Sequence, residues 1–179
     1  MPVAAARGSR TKRAARRRKG SFVLDWGTFQ DDTLVLVGLG HSEWEAAAKK
    51  VDGAAKGFVD WVKKAADNCY EAGAFEGTKG FFYHDTSPWT ILCFPEWNGT
   101  WEDYGTLMHE LHHAVHYVLG ERRHMKDEME ALAYQQEFLF SQCRRKLNDL
   151  KPETNGDLQR VQDERGKPEE KGKDQTLVL

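Results

Sequence analysis

Five residues, His109-Glu110-Leu111-His112-His113, constrain this chain more than any other stretch, because they read H-E-x-x-H inside a segment that favours a helix. Residues four apart on an α-helix lie one above the other on the same face. His109 and His113 can therefore aim two imidazoles at one point, as a tetrahedral zinc ion requires. Glu110 follows the first imidazole directly, near enough to act on a metal-activated water without binding the metal. The pattern implies a helix first and zinc-dependent hydrolysis second.

The 179 residues suffice for one domain with tails and a sizeable core. A formal charge of −2 conceals an asymmetry. Arg7, Arg10, Lys12, Arg13, Arg16, Arg17, Arg18 and Lys19 place eight positive charges in the first twenty residues, with no acid among them. Setting those eight aside leaves 18 basic against 28 acidic residues, so the remainder carries −10. Residues 1–20 read as a disordered basic arm, since Ala, Arg, Gly and Lys without aromatics bury too little surface to fold. Cys69, Cys93 and Cys143 stand singly, an odd set that argues for a reducing compartment and for small buried hydrophobes. No run approaches a membrane span. Arg17-Arg18 resembles a twin-arginine export signal, but Asp25, Asp31 and Asp32 interrupt any apolar region behind it. The expected compartment is cytoplasmic, with an organelle transit peptide as the lesser alternative.

Two strands are expected at Phe22–Trp26 and Thr33–Leu39. Ser42 with Glu45 reads as a capping box. It opens one helix whose apolar stripe, Trp44 to Ala65, continues to about Tyr70, with Gly53 and Gly57 weakening but not ending it. Phe81–His84 and Thr90–Phe94 follow as a hairpin or neighbouring strands. Thr100 caps the H-E-x-x-H helix to Leu119, with Gly120 as the residue past its end. A last helix starts near Lys126 or Asp127 and runs to about Leu147, its acids early and its bases late. From Asp149, Pro, Gly and charge mark a disordered tail over 149–179. The body is then 21–148, an α+β fold with a small mixed sheet and the order β-β-α-β-β-α-α.

A hydrolytic zinc site needs a third protein ligand and a position left for water. The following helix offers Glu121, Glu128, Glu130 and Glu137, with His116 and His124 as imidazole alternatives. Glu130 fits best: seventeen residues past His113, it leaves room for one helix to finish and its partner to present a first turn. Ala131 and Ala133 beside it allow close helix packing. Tyr134 reads as core, Trp97 and Trp101 as packing between hairpin and helix, and His112 as packing or support for the ligands. His41 and His84 read as isolated surface or loop residues. Tyr83, His84, Tyr104, His124 and Tyr134 all stay open as partners for an oxyanion.

His109 to His113 followed by Glu130-Ala131-Leu132-Ala133-Tyr134 resembles the gluzincin branch of zinc metallopeptidases. More narrowly, it is similar to the small single-domain metallopeptidases encoded in phages and mobile elements. The likeness covers roughly 80–140 closely and the earlier elements only by their order. It implies a zincin-like fold, zinc held by His109, His113 and Glu130, Glu110 as general base, and a peptide or protein substrate. The longer metzincin motif is excluded, because it needs Gly at His116 and His at Leu119.

Thr90–Phe94 is the expected edge strand on which an extended peptide would pair. The rival expectation is an inactive zinc-fold binding protein whose basic arm holds nucleic acid or an acidic partner. A third is a structural zinc clamp between helices.

Overall fold

A computed structural model of the chain describes residues 17–29, 31–125, 127–150 and 152. Four strands, β1 (Gly20–Asp25), β2 (Asp32–Val37), β3 (Phe81–His84) and β4 (Trp89–Phe94), form one mixed sheet in the order β1-β2-β4-β3. β2 and β4 run parallel at its centre, while β1 and β3 pair antiparallel on the flanks. Such a parallel pair is stable when both faces are covered, which explains the unbroken apolar runs of Leu34–Val37 and Ile91–Phe94. β4 is therefore paired on both sides and is not the edge strand expected from its sequence. The edge beside the H-E-x-x-H helix is β3.

Period-two alternation divides the core between the faces. Leu34, Leu36, Ile91 and Cys93 pack with Trp44, Phe58, Val62 and Ala65 of two helices, α1 (Trp44–Ala48) and α2 (Phe58–Glu71). Val35, Val37, Leu92 and Phe94 pack with Leu107, Leu111, Leu139 and Cys143 of two others, α3 (Trp101–Val115) and α4 (Met129–Asp149). The fold is thus α+β with helices on both faces of the sheet.

The single helix expected from Ser42 to Tyr70 is instead α1 and α2. Gly53 and Gly57, at φ +70° and +86°, stand in the left-handed region, which a right-handed helix cannot pass through. The Ser42–Glu45 capping box does not form either. The Glu43 carboxylate accepts the Gly40 N–H at 3.1 Å instead.

α3 starts as its sequence indicates. Thr100 Oγ1 accepts the Asp103 N–H at 3.3 Å, and Asp103 Oδ2 accepts the Thr100 and Asn98 N–H groups at 2.9 and 2.8 Å. Its end differs from expectation. Gly120 does not close the helix but lies buried within a π-helical segment, His116–Arg122. Val118, Leu119 and Gly120 are all buried, a width that a narrow α-helical stripe does not cover. Arg122 and Arg123 then hold the buried Asp31 at 3.2 and 2.8 Å, and Arg122 also donates to the carbonyls of Ser87 and Pro88. Trp97 is buried as expected, but Trp101 is 88% exposed at the first position of α3, where no described element covers it.

Arg17, Arg18 and Lys19, read as part of the arm, are tied to the body. Arg17 pairs with Glu96 at 2.9 Å and Lys19 with Glu43 at 2.8 Å, while Arg18 donates to the Leu147 carbonyl. Leu150 packs on the core beyond the end of α4. The rest of the arm before Arg17, and the tail after Pro152, lie outside the described residues. No described helix is long and apolar enough to cross a membrane. All three cysteines are free and buried, and burial pushes the thiols of Cys69 and Cys143 up to about 11 and about 12, so both stay protonated.

A polar thread crosses the apolar sheet. Trp26 Nε1 donates to Thr33 Oγ1 at 2.9 Å, and the Thr33 and Thr90 hydroxyls meet at 2.7 Å. Thr33→Val strands two buried partners and is expected to cost about 2 kcal/mol in urea unfolding. Thr33→Ser, which keeps the hydroxyl, should cost clearly less.

Candidate metal centre

Packing of Leu107, Leu111, Ala114 and Val115 against the sheet sets the phase of α3. With that stripe turned inward, His109 and His113 emerge on the opposite, exposed face. Their Nε2 atoms stand 3.1 Å apart, with ring centroids at 4.6 Å and planes at 90°. Two zinc–nitrogen bonds at a tetrahedral angle separate their nitrogens by about 3.3 Å, so the pair fits two positions of one ion. Glu110 faces sideways and is only 7% exposed. Among the described residues nothing hydrogen-bonds its carboxylate, which leaves both oxygens available to water or substrate.

Glu110 and His113 line a cavity of about 370 Å³ together with Phe81, Phe82, His84 and Tyr117. β3 forms one wall and α3 the other. Tyr117 stacks on His84 with centroids 3.7 Å apart and donates its hydroxyl to the Asp85 carbonyl at 2.7 Å. The Arg122 guanidinium covers the Tyr117 ring at 4.9 Å. Burial, and secondarily the positive charge of Arg122, holds the His84 imidazole below its ordinary pKa.

Of the five residues left open as oxyanion partners, only His84 lines this cavity. His84 is exposed, as its sequence setting indicates, but it is not isolated, because Tyr117 stacks on it and Arg122 stands near. Tyr83 turns to the opposite face of the sheet, near Trp61, and receives the Asn68 amide at 3.2 Å. Tyr104 packs with Trp97 and Phe140. His124 is exposed in the turn before α4, and Tyr134 is 65% exposed rather than core. Tyr117 was missed by sequence reasoning. Its place one turn after His113 and two after Glu110 on the same helix flank was the available signal.

Glu130 lies in the first turn of α4 and is exposed. α4 runs antiparallel to α3: Tyr104 meets Phe140, and Gln136 donates to the Met108 carbonyl at 3.1 Å. Leu132, Leu139, Cys143 and Leu147 form the buried stripe of α4, and Glu130 falls on the opposite flank. Glu121, Glu128, Glu137 and His124 are exposed as well. Among the described residues, no three His, Cys, Asp or Glu side chains stand close enough to hold one ion. The structure therefore brings His109, His113 and Glu110 together and does not bring Glu130 to them.

Comparisons with protein-family models, curated proteins and solved structures find no match to this chain. The likeness to gluzincins rests on the residues quoted for it.

The His84 environment is directly measurable. Its imidazole should titrate below the ordinary value of 6.5 in an NMR pH series, and Arg122→Gln should move it upward, since one of its two depressing influences is gone. A folded-state value below the unfolded one makes His84 contribute stability at neutral pH that is lost as pH falls through 6.5 towards the folded value.

Proposed function

We propose that this chain is a zinc-dependent metallopeptidase in which His109, His113 and Glu130 hold the metal and Glu110 is the general base. The observation that carries the reading is the 3.1 Å approach of the two Nε2 atoms on a helix whose next residue, Glu110, is buried against a cavity under a free strand edge. A zinc ion held there supplies a lowered pKa for water and a Lewis-acid pull on a carbonyl.

The chain's own groups perform the remaining work. Glu110 takes a proton from the attacking water and returns it to the leaving amine. His84, neutral at physiological pH and braced by Tyr117, donates to the oxygen on which charge develops. Among the described residues β3 is hydrogen-bonded only to β4, and its other side is offered to an extended peptide. Phe81 and Phe82 supply an apolar wall for a substrate side chain.

Glu130 is assigned as third ligand from its spacing and from the resemblance. Glu128, at the start of α4, makes no side-chain cap, so the first-turn N–H groups of that helix are not held by one. Metal binding commonly supplies the free energy that orders such a ligand.

The test is cleavage of a peptide library by the zinc-loaded protein, read by mass spectrometry. Glu110→Gln should keep its zinc and lose about 10²–10⁴-fold in kcat. His84→Ala should lose about 10²-fold in kcat with KM little changed. Cleavage by Glu110→Gln at the wild-type rate contradicts the assignment of the base.

A further inference from the structure

α3 carries a second pair of histidines with the same spacing. His112 and His116 lie one turn apart on the flank beside α4, and their ring centroids approach to 4.2 Å, compared with 4.6 Å for His109 and His113. His112 is exposed and His116 is half-buried at the first position of the π-helical segment. The rings tilt by 57°, so they are not stacked face to face.

A neighbour on α4 orients this pair. The Gln136 amide donates through Nε2 to the Met108 carbonyl at 3.1 Å, which turns its Oε1 towards His112 Nδ1, 3.5 Å away. An amide oxygen facing Nδ1 favours the tautomer with its proton there. That tautomer leaves the lone pair of His112 on Nε2, the nitrogen available to a metal. Among the described residues the His116 imidazole has no hydrogen-bond partner, so its own ring nitrogens are not committed.

We infer that His112 and His116 form a second metal-binding site on the same helix, distinct from the His109–His113 pair. It takes a divalent transition ion that prefers imidazole, with the remaining positions open to solvent. Cu²⁺ binds such nitrogen sites most tightly, ahead of Ni²⁺ and Zn²⁺. The inference does not rest on peptidase activity, because it requires only the geometry of the second pair.

Titration of the tag-free, metal-stripped full chain with Cu²⁺, followed by electron paramagnetic resonance and calorimetry, tests it. Wild type should bind two equivalents, His112→Ala/His116→Ala should lose one, and His109→Ala/His113→Ala should lose the other. Gln136→Leu should weaken only the second site, by about tenfold. A wild type that binds no Cu²⁺, or an unchanged stoichiometry in His112→Ala/His116→Ala, overturns the inference, whereas a single equivalent lost in that variant upholds it and counts against the His109–His113 site instead. Should either double variant fail to fold, imidazole NMR on wild type preloaded with one equivalent of zinc decides. Substoichiometric Cu²⁺ should broaden His112 and His116 first, and broadening of other histidines instead overturns it.

Discussion

Burial of Leu107, Leu111, Ala114 and Val115 against the sheet decides where every other side chain of α3 points. Each residue on an α-helix turns by about 100° from the last, so this stripe places His109 and His113 on the far face and Glu110 on the flank towards β3. Each buried leucine contributes about 2 kcal/mol to holding that phase. The cap formed by Thr100 and Asp103 fixes where the helix begins. A slip of one residue would bury an imidazole and expose a leucine, so stability and site geometry are enforced by the same contacts.

A second constraint determines what faces the helix. Asp31 is buried in the company of two guanidinium groups, because a lone buried carboxylate would be strongly unfavourable. Arg122 also binds the carbonyls of Ser87 and Pro88, and Tyr117 binds that of Asp85. The turn between β3 and β4 is thereby fastened to the end of α3. That fastening sets His84 against Tyr117 and brings β3 alongside Glu110. The π-helical segment supplies the widened turn from which both Tyr117 and Arg122 project.

Local signals made much of this legible. The alternating and continuous apolar runs of β2 and β4, the Thr100 cap, and the i,i+4 histidines could all be read from short windows of sequence. Strand order could not. Whether β3 or β4 occupies the edge depends on the pairing of β2 with β4, a long-range choice that neither strand's own residues encode. The helix from Ser42 broke because Gly53 and Gly57 adopt positive φ, whereas the periodicity around them continued without a mark. Gly120 signalled a helix end, yet burial of Val118 and Leu119 carried the chain through it in a wider turn. His84 looked isolated in sequence because its partners, Tyr117 and Arg122, stand more than thirty residues away. Glu130 was legible as a candidate by spacing, but its side chain lies on the outer flank of α4.

The central claim is that His109, His113 and Glu130 share one zinc ion. Zinc content after exhaustive dialysis, measured by plasma mass spectrometry on wild type, His113→Ala and Glu130→Ala, tests it most directly. The expected result is one zinc per wild-type chain and near-complete loss in both variants, each still folded by circular dichroism. Full retention of zinc by Glu130→Ala, or a wild-type chain that holds none, contradicts it.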